Sequence, residues 1–315
     1  MKNHGISVAS LILIGMSFVM SPAAAQTLSP NRIALLKWYS ASQAARFTTN
    51  NPFCVAFDSA NMWVSNSAND TVTKLRASDG ATLGTFSVGT SPEGMAFDGA
   101  HIWVVNANSQ NVTELNAADG GTLATVGVGN FPQFAVFDGA NIWVGNTSDG
   151  TVSKISVAGQ KVVGTYVVGT QPNGLAFDGA NIWIANLVGN TVVKLQASTG
   201  KILGTYNVAG PLDVVWDGSH IWVISIGPGT VTKMTTAGVV MNTVKVSSAA
   251  MGAFDGTYLW VSGYTSPTGT VTKINVSNAA VVGTYPVGGG DPFGVAFDGA
   301  FVWVAVSSSN LVAKM

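Results

Sequence analysis

"FDGANIWVGN", residues Phe137 to Asn146, returns with small changes through most of the chain. "FDSANMWVSN" begins at Phe57, "FDGAHIWVVN" at Phe97 and "FDGANIWIAN" at Phe177. The tryptophan of the phrase measures the period. Trp63, Trp103, Trp143, Trp183, Trp222, Trp260 and Trp303 are separated by 40, 40, 40, 39, 38 and 43 residues. Seven units of this length mark a repeat architecture in which each unit is one supersecondary element.

One unit reads as four strands. "GLAF" (Gly174 to Phe177) leads into Asp178-Gly179, a pair suited to the positive φ of a tight hairpin. "NIWIAN" (Asn181 to Asn186) is the second strand and "TVVKLQ" (Thr191 to Gln196) the third. After the turn "STG", the fourth runs from Ile202 to Val208. No helical period is long enough for a crossover helix. In the second strand Ile182 and Ile184 face one way and Trp183 the other, so both faces need cover. Blades of a propeller are covered on both faces by their neighbours, whereas an open sandwich leaves one face wetter. A parallel β-helix is the rival, but its coils are shorter and need no Asp-Gly hairpin in each repeat. The expectation is an all-β, seven-bladed propeller of four-stranded antiparallel blades. The seventh unit stops at Met315 without a fourth strand. A segment ahead of Pro52 is expected to supply it, either "AARFTTN" or "RIALLKWY" (Arg32 to Tyr39).

The first 25 residues combine Lys2, an apolar run from about Val8 to Val19 and a small-residue end at Ala23 to Ala25. This is the layout of a secretory signal cleaved after Ala25, leaving residues 26–315 as one propeller domain in the periplasm or outside the cell. Although 47% of residues are hydrophobic, they fall in short bursts, and no later run would span a bilayer. The 14 basic and 15 acidic residues are dispersed. That excludes an electrostatic footprint for nucleic acid, and a monomer is expected. The single cysteine, Cys54, has no internal disulfide partner and is expected as a buried thiol.

The pattern P-x-G-[LVM]-A-F-D-G-A-x-[IV]-W-[VI], with "TVTK" and "GTYxVG", resembles the bacterial YVTN/NHL-like β-propellers, near the virginiamycin B (streptogramin) lyase-like proteins. The resemblance covers residues 50–315. It implies the same fold and, for the lyase-like members, histidine with acidic, metal-associated chemistry at the central face. Residue by residue, that chemistry does not carry over. His101 and His220 stand where Asn61, Asn141 and Asn181 stand in other units, at the hairpin end rather than among the proline loops. Both read as polar turn residues, so no histidine-based site, metal ligand set or cofactor is assigned. Glu114 is read only as a break in the series Lys74, Lys154, Lys194, Lys233 and Lys273, whose amines are expected at the sheet edge.

Function is sought instead where the repeat changes. After each loop proline stand Phe53, Glu93, Gln133, Asn173, Leu212 and Phe293, with Ala250 in the sixth unit. The next position adds Cys54, Phe134, Asp213 and Met251 among glycines. Phe53, Glu93, Gln133, Asn173, Asp213 and Phe293, with Tyr264 of the longest second-to-third-strand loop, are the candidate ligand-binding residues. They would line a funnel with an aromatic wall and a polar arc. This describes a binding or scaffold protein holding a small ligand, glycan or protein partner at the channel face. The alternative is a lyase-like enzyme acting there on a small or saccharide substrate, with metal assistance.

Overall fold

The computed structural model describes residues 45–315, and these form seven four-stranded antiparallel sheets. The signal-like segment and "RIALLKWY" lie outside the described residues. In the fourth blade the strands are Pro172–Phe177, Asn181–Asn186, Thr191–Gln196 and Ile202–Asn207. The innermost strand begins at the proline itself, earlier than the apolar run "GLAF". Its register shifts between Pro172 and Leu175, so a bulge starts it. First strands touch one another in ring order, and that of blade one meets those of blades two and seven. Two faces follow from the register: a proline face, where Pro172 opposes Asn186, and a hairpin face beside the Asp-Gly turns.

The ring closes through the N-terminal segment. Ala45–Thr48 pairs antiparallel with Leu311–Lys314, completing the sheet that holds Pro292–Phe297 and Val302–Val306. "AARFTTN" therefore contains the closing strand, with Phe47 opposite Val312. Phe47 stacks on Trp303 at 5.3 Å between ring centroids, as Tyr166 does on Trp143 and Tyr206 on Trp183 at 5.6 Å. These three rings also press on the third-to-fourth turn of the next blade. A Cβ on Gly200, which has φ of +74°, would overlap the Tyr166 ring, so both conformation and space demand glycine there.

Every hairpin aspartate holds its blade's tryptophan. In all seven blades the indole Nε1 donates to the Asp Oδ2 at 2.7–2.8 Å. The Oδ1 accepts the two amides that turn the hairpin; in blade four these are Ala180 and Asn181 at 3.0 and 2.7 Å. Burial works against these carboxylates, yet the donors outweigh it and hold Asp138 and Asp178 below the ordinary carboxyl pKa. Six of the seven tryptophans are fully buried at the seams between blades.

The lysines correct the expectation that they reach the edge. Lys74 and Lys233 are buried, and Lys74, Lys154, Lys194, Lys233 and Lys273 each place Nζ over their blade's tryptophan. Their side chains turn inward because an indole face, joined by a neighbouring carbonyl for Lys74, Lys154, Lys194 and Lys233 and by the Tyr258 ring for Lys273, replaces the ammonium's water. No helix among the described residues is long and apolar enough to cross a membrane.

Candidate functional site

The first strands enclose a central cavity of about 310 Å³ lined by Cys54, Met95, Phe134, Leu175, Asp213 and Met251, among others. Small residues alternate with larger ones because the inner strands approach closely. A Cβ on Gly174 would collide with Asp213 and one on Gly94 with the backbone at Gln133. Phe134 reaches across from blade three to Phe53 and Phe293, at centroid distances of 6.1 and 6.4 Å, and those two rings meet at 4.6 Å. Tyr264 sets its edge against Phe293 at 5.9 Å. The aromatic wall is thus a cluster of four rings.

The polar arc is linked more than it is open. Gln133 Nε2 donates to Glu93 Oε2 at 2.9 Å, and Thr147 Oγ1 donates to Gln133 Oε1 at 2.9 Å. Asn173 turns aside to the carbonyl of Gln171. Asp213 lies deeper and accepts the amides of Val214 and Gly252 at 2.8 and 3.0 Å. Burial pushes Glu93 up to about 7, despite the Gln133 bond, and Asp213 up to about 7, despite its two amides. Burial likewise pushes the Cys54 thiol up to about 11, so it is not a ready nucleophile.

A second constellation overturns the expectation that the chain lacks a histidine-based cluster. Asp98, His101 and Glu114 converge at the seam between blades two and three, toward the hairpin face. One ligand atom from each lies within 4.8 Å of the others. His101 Nδ1 is 3.0 Å from Asp98 Oδ2 and 3.4 Å from Glu114 Oε1. Both carboxylates are almost wholly buried, while His101 is partly open. Burial opposes the Asp98 charge, but Trp103, the Ala100 and His101 amides and the His101 ring hold its pKa below the ordinary range. Gln160 from blade three donates to Glu114 Oε2 at 2.7 Å. An open cavity of about 370 Å³ adjoins the cluster, lined by Asp98, His101, Phe137, Ala140, Val157 and Ala158, among others.

Strand register makes the cluster. Trp103 pairs with Glu114, and His101 lies two residues before Trp103, so all three project from one sheet face. Taken singly, His101 is a turn residue, Asp98 a hairpin aspartate and Glu114 a break in a lysine series. The signal in the sequence was that two departures from the repeat fall in one blade at positions the hairpin brings together. His220, with Asp217 3.5 Å away, has no such third partner because Lys233 keeps the usual residue in blade five.

A mixed imidazole and carboxylate set suits a divalent transition metal, and the cavity leaves room for further ligands. No family model and no curated protein matches the chain. Solved structures do resemble it. The Kuenenia stuttgartiensis hydrazine synthase matches at 19% identity and a TM-score of 0.74, over 86% of this chain and 97% of that one. A streptogramin B lyase matches at 16% identity and a TM-score of 0.74, over 86% and 96%. U3-55K matches at 12% identity and a TM-score of 0.76, over 86% and 97%. Three proteins so differently named share one architecture with this chain, which is therefore similar to them as a seven-bladed propeller and in nothing finer.

Proposed function

We propose that this protein is a metal-assisted, lyase-like enzyme acting on a small or saccharide substrate. The observation that carries the reading is the Asp98–His101–Glu114 cluster beside an open cavity. It shifts the proposed chemistry from the proline-loop ring to the seam of blades two and three. A divalent cation held by these residues would act as a Lewis acid on a substrate oxygen. Phe137 and Ala140 offer an apolar wall for the substrate's body. The fold shared with a streptogramin B lyase fits this reading without carrying it. The signal-like first 25 residues support a site of action outside the cytoplasm.

The test is a chelator-treated protein assayed with and without Zn²⁺ or Mn²⁺ on a panel of uronic-acid oligosaccharides and small cyclic esters. Elimination is followed by the ultraviolet absorbance of a newly conjugated double bond. Turnover that needs metal and is lost in H101N is the expected result; turnover indifferent to chelation and to H101N overturns the reading.

A second reading, a binding protein using the channel, is favoured by the cavity beneath the four aromatic rings. There Phe53, Phe293 and Tyr264 would cover an apolar ligand while Asp213 meets a polar group. Ligand affinity abolished by F134A but untouched by H101N would favour it.

A further inference from the structure

Six blades place a lysine at one third-strand position: Lys74, Lys154, Lys194, Lys233, Lys273 and Lys314. Each Nζ lies 4.7–5.3 Å from the centroid of its own blade's tryptophan. Five also donate to a main-chain carbonyl in the third-to-fourth turn of the next blade. The acceptors are Ala117, Ala197, Thr236, Val276 and Ala77. The fold thus sets a positive charge beneath the indole at these seams and uses it to tie neighbouring blades.

The seam from blade two to blade three departs from this rule. Its lysine position holds Glu114, so a cation has been exchanged for an anion, 2% exposed. The hairpin asparagine has become His101 in the same blade, while Asp98 stays. The carbonyl of Val157 stands where Ala117 and Ala197 stand in their turns. Val157 lines the adjoining cavity, and its carbonyl accepts no hydrogen bond among the described residues. Two buried carboxylates and an imidazole therefore gather where the other six blades set an ammonium, and Gln160 from the facing turn of blade three donates to Glu114 Oε2.

We infer that a divalent transition-metal ion occupies that spot, bound by Asp98 Oδ2, His101 Nδ1, Glu114 Oε1 and the Val157 carbonyl, and that it ties blade two to blade three as lysine does elsewhere. The inference rests on the cluster that carries the proposed function, and adds a ligand from the neighbouring blade and a role in the fold. The two spacings measured from His101 agree with it. Tetrahedral zinc with nitrogen and oxygen ligands at ~2.1 Å sets its ligand atoms about 3.4 Å apart. The two distances from His101 Nδ1, 3.0 and 3.4 Å, need little adjustment. Calcium is disfavoured, since it prefers six or more oxygen ligands.

The experiment uses the full chain, stripped with chelator and titrated with Zn²⁺ and Mn²⁺ by calorimetry and thermal melting. One ion per chain should bind, and the melting temperature should rise by about 5 °C at a hundredfold excess of free metal over Kd. E114K should bind no ion and melt near the metal-loaded wild type whether or not metal is present, because its ammonium reaches Val157. H101N, which restores the residue of other blades, should fold and lose at least about tenfold in affinity. Melting unchanged by metal, or binding unchanged in H101N, overturns the inference. If His101 alone supplies the positive charge as an imidazolium, melting responds to pH and not to metal, which also overturns it. An ion that binds and stabilises without supporting turnover removes the proposed enzyme and leaves the tie between blades. Metal-dependent turnover with unaltered melting places the ion away from this cluster and overturns both the tie and the cluster's part in the reaction.

Discussion

At the scale of single residues, one aspartate per blade does the work of a small network. Asp178 accepts from two hairpin amides, from Asn181 Nδ2 and from the indole of Trp183. Asp178→Ala strands a buried indole N–H and should lower unfolding free energy by about 2 kcal/mol in urea titrations. Asp178→Asn keeps an acceptor and should lose less. Glu93 and Asp213 make the opposite kind of contribution. Their folded pKa values, about 7 for each, lie above the unfolded range near 4. The favourable term is complete below about pH 4 and is lost as pH rises through about 7. Ionising each in place then opposes folding by on the order of 3 kcal/mol. Wild type should weaken between pH 5 and pH 8, and the E93Q/D213N double variant should show a flatter profile in urea titrations at both pH values. The repeat made the hairpin aspartates legible at once. Burial of Glu93 and Asp213 was not legible, because it depends on how seven inner strands crowd one axis.

At the scale of elements, blades lean on their neighbours through a tryptophan in every blade, a lysine in six of the seven, and an outer aromatic where the fourth strand carries one. The N-terminal strand Ala45–Thr48 matters because it restores that pattern in blade seven, with Phe47 on Trp303 and against Gly80 of blade one. Deleting residues 26–50 should leave Leu311–Lys314 as an unpaired edge. The expected result is a melting midpoint lowered by several degrees, read by circular dichroism, with a smaller loss for Phe47→Ala. Strand order and the need for a closing strand were readable from the spacing of Trp63 to Trp303. The choice of "AARFTTN" over "RIALLKWY" required the pairing itself, since both segments alternate well enough to form an edge strand.

At the scale of the whole molecule, closure joins the seven blades into one ring around a channel that Phe134 crosses. Phe134 spans that channel to two blades at once, so Phe134→Ala should lower stability by roughly 3–5 kcal/mol and enlarge the cavity above Asp213. Tryptophan fluorescence and far-ultraviolet circular dichroism should still report a single coincident transition in the wild type. Separation of the two curves would argue that the blades unfold singly.

The sequence by itself determined the architecture. A period near 40, an Asp-Gly hairpin and an indole in each unit repeat one local solution seven times, and repetition makes a local rule visible. Tertiary structure decided the site. Glu114 meets His101 through strand register and approaches the Val157 turn only across a seam between blades. Contacts between groups some 43 residues apart, such as Lys154 with Ala197, depend on how whole blades pack. Lys74 and Lys233, which looked like edge residues, are therefore buried ties, and a glutamate that looked like a lapse in the repeat belongs to the strongest candidate site. Local propensity can encode a hairpin, but the electrostatics of a seam exist only when two folded sheets face each other.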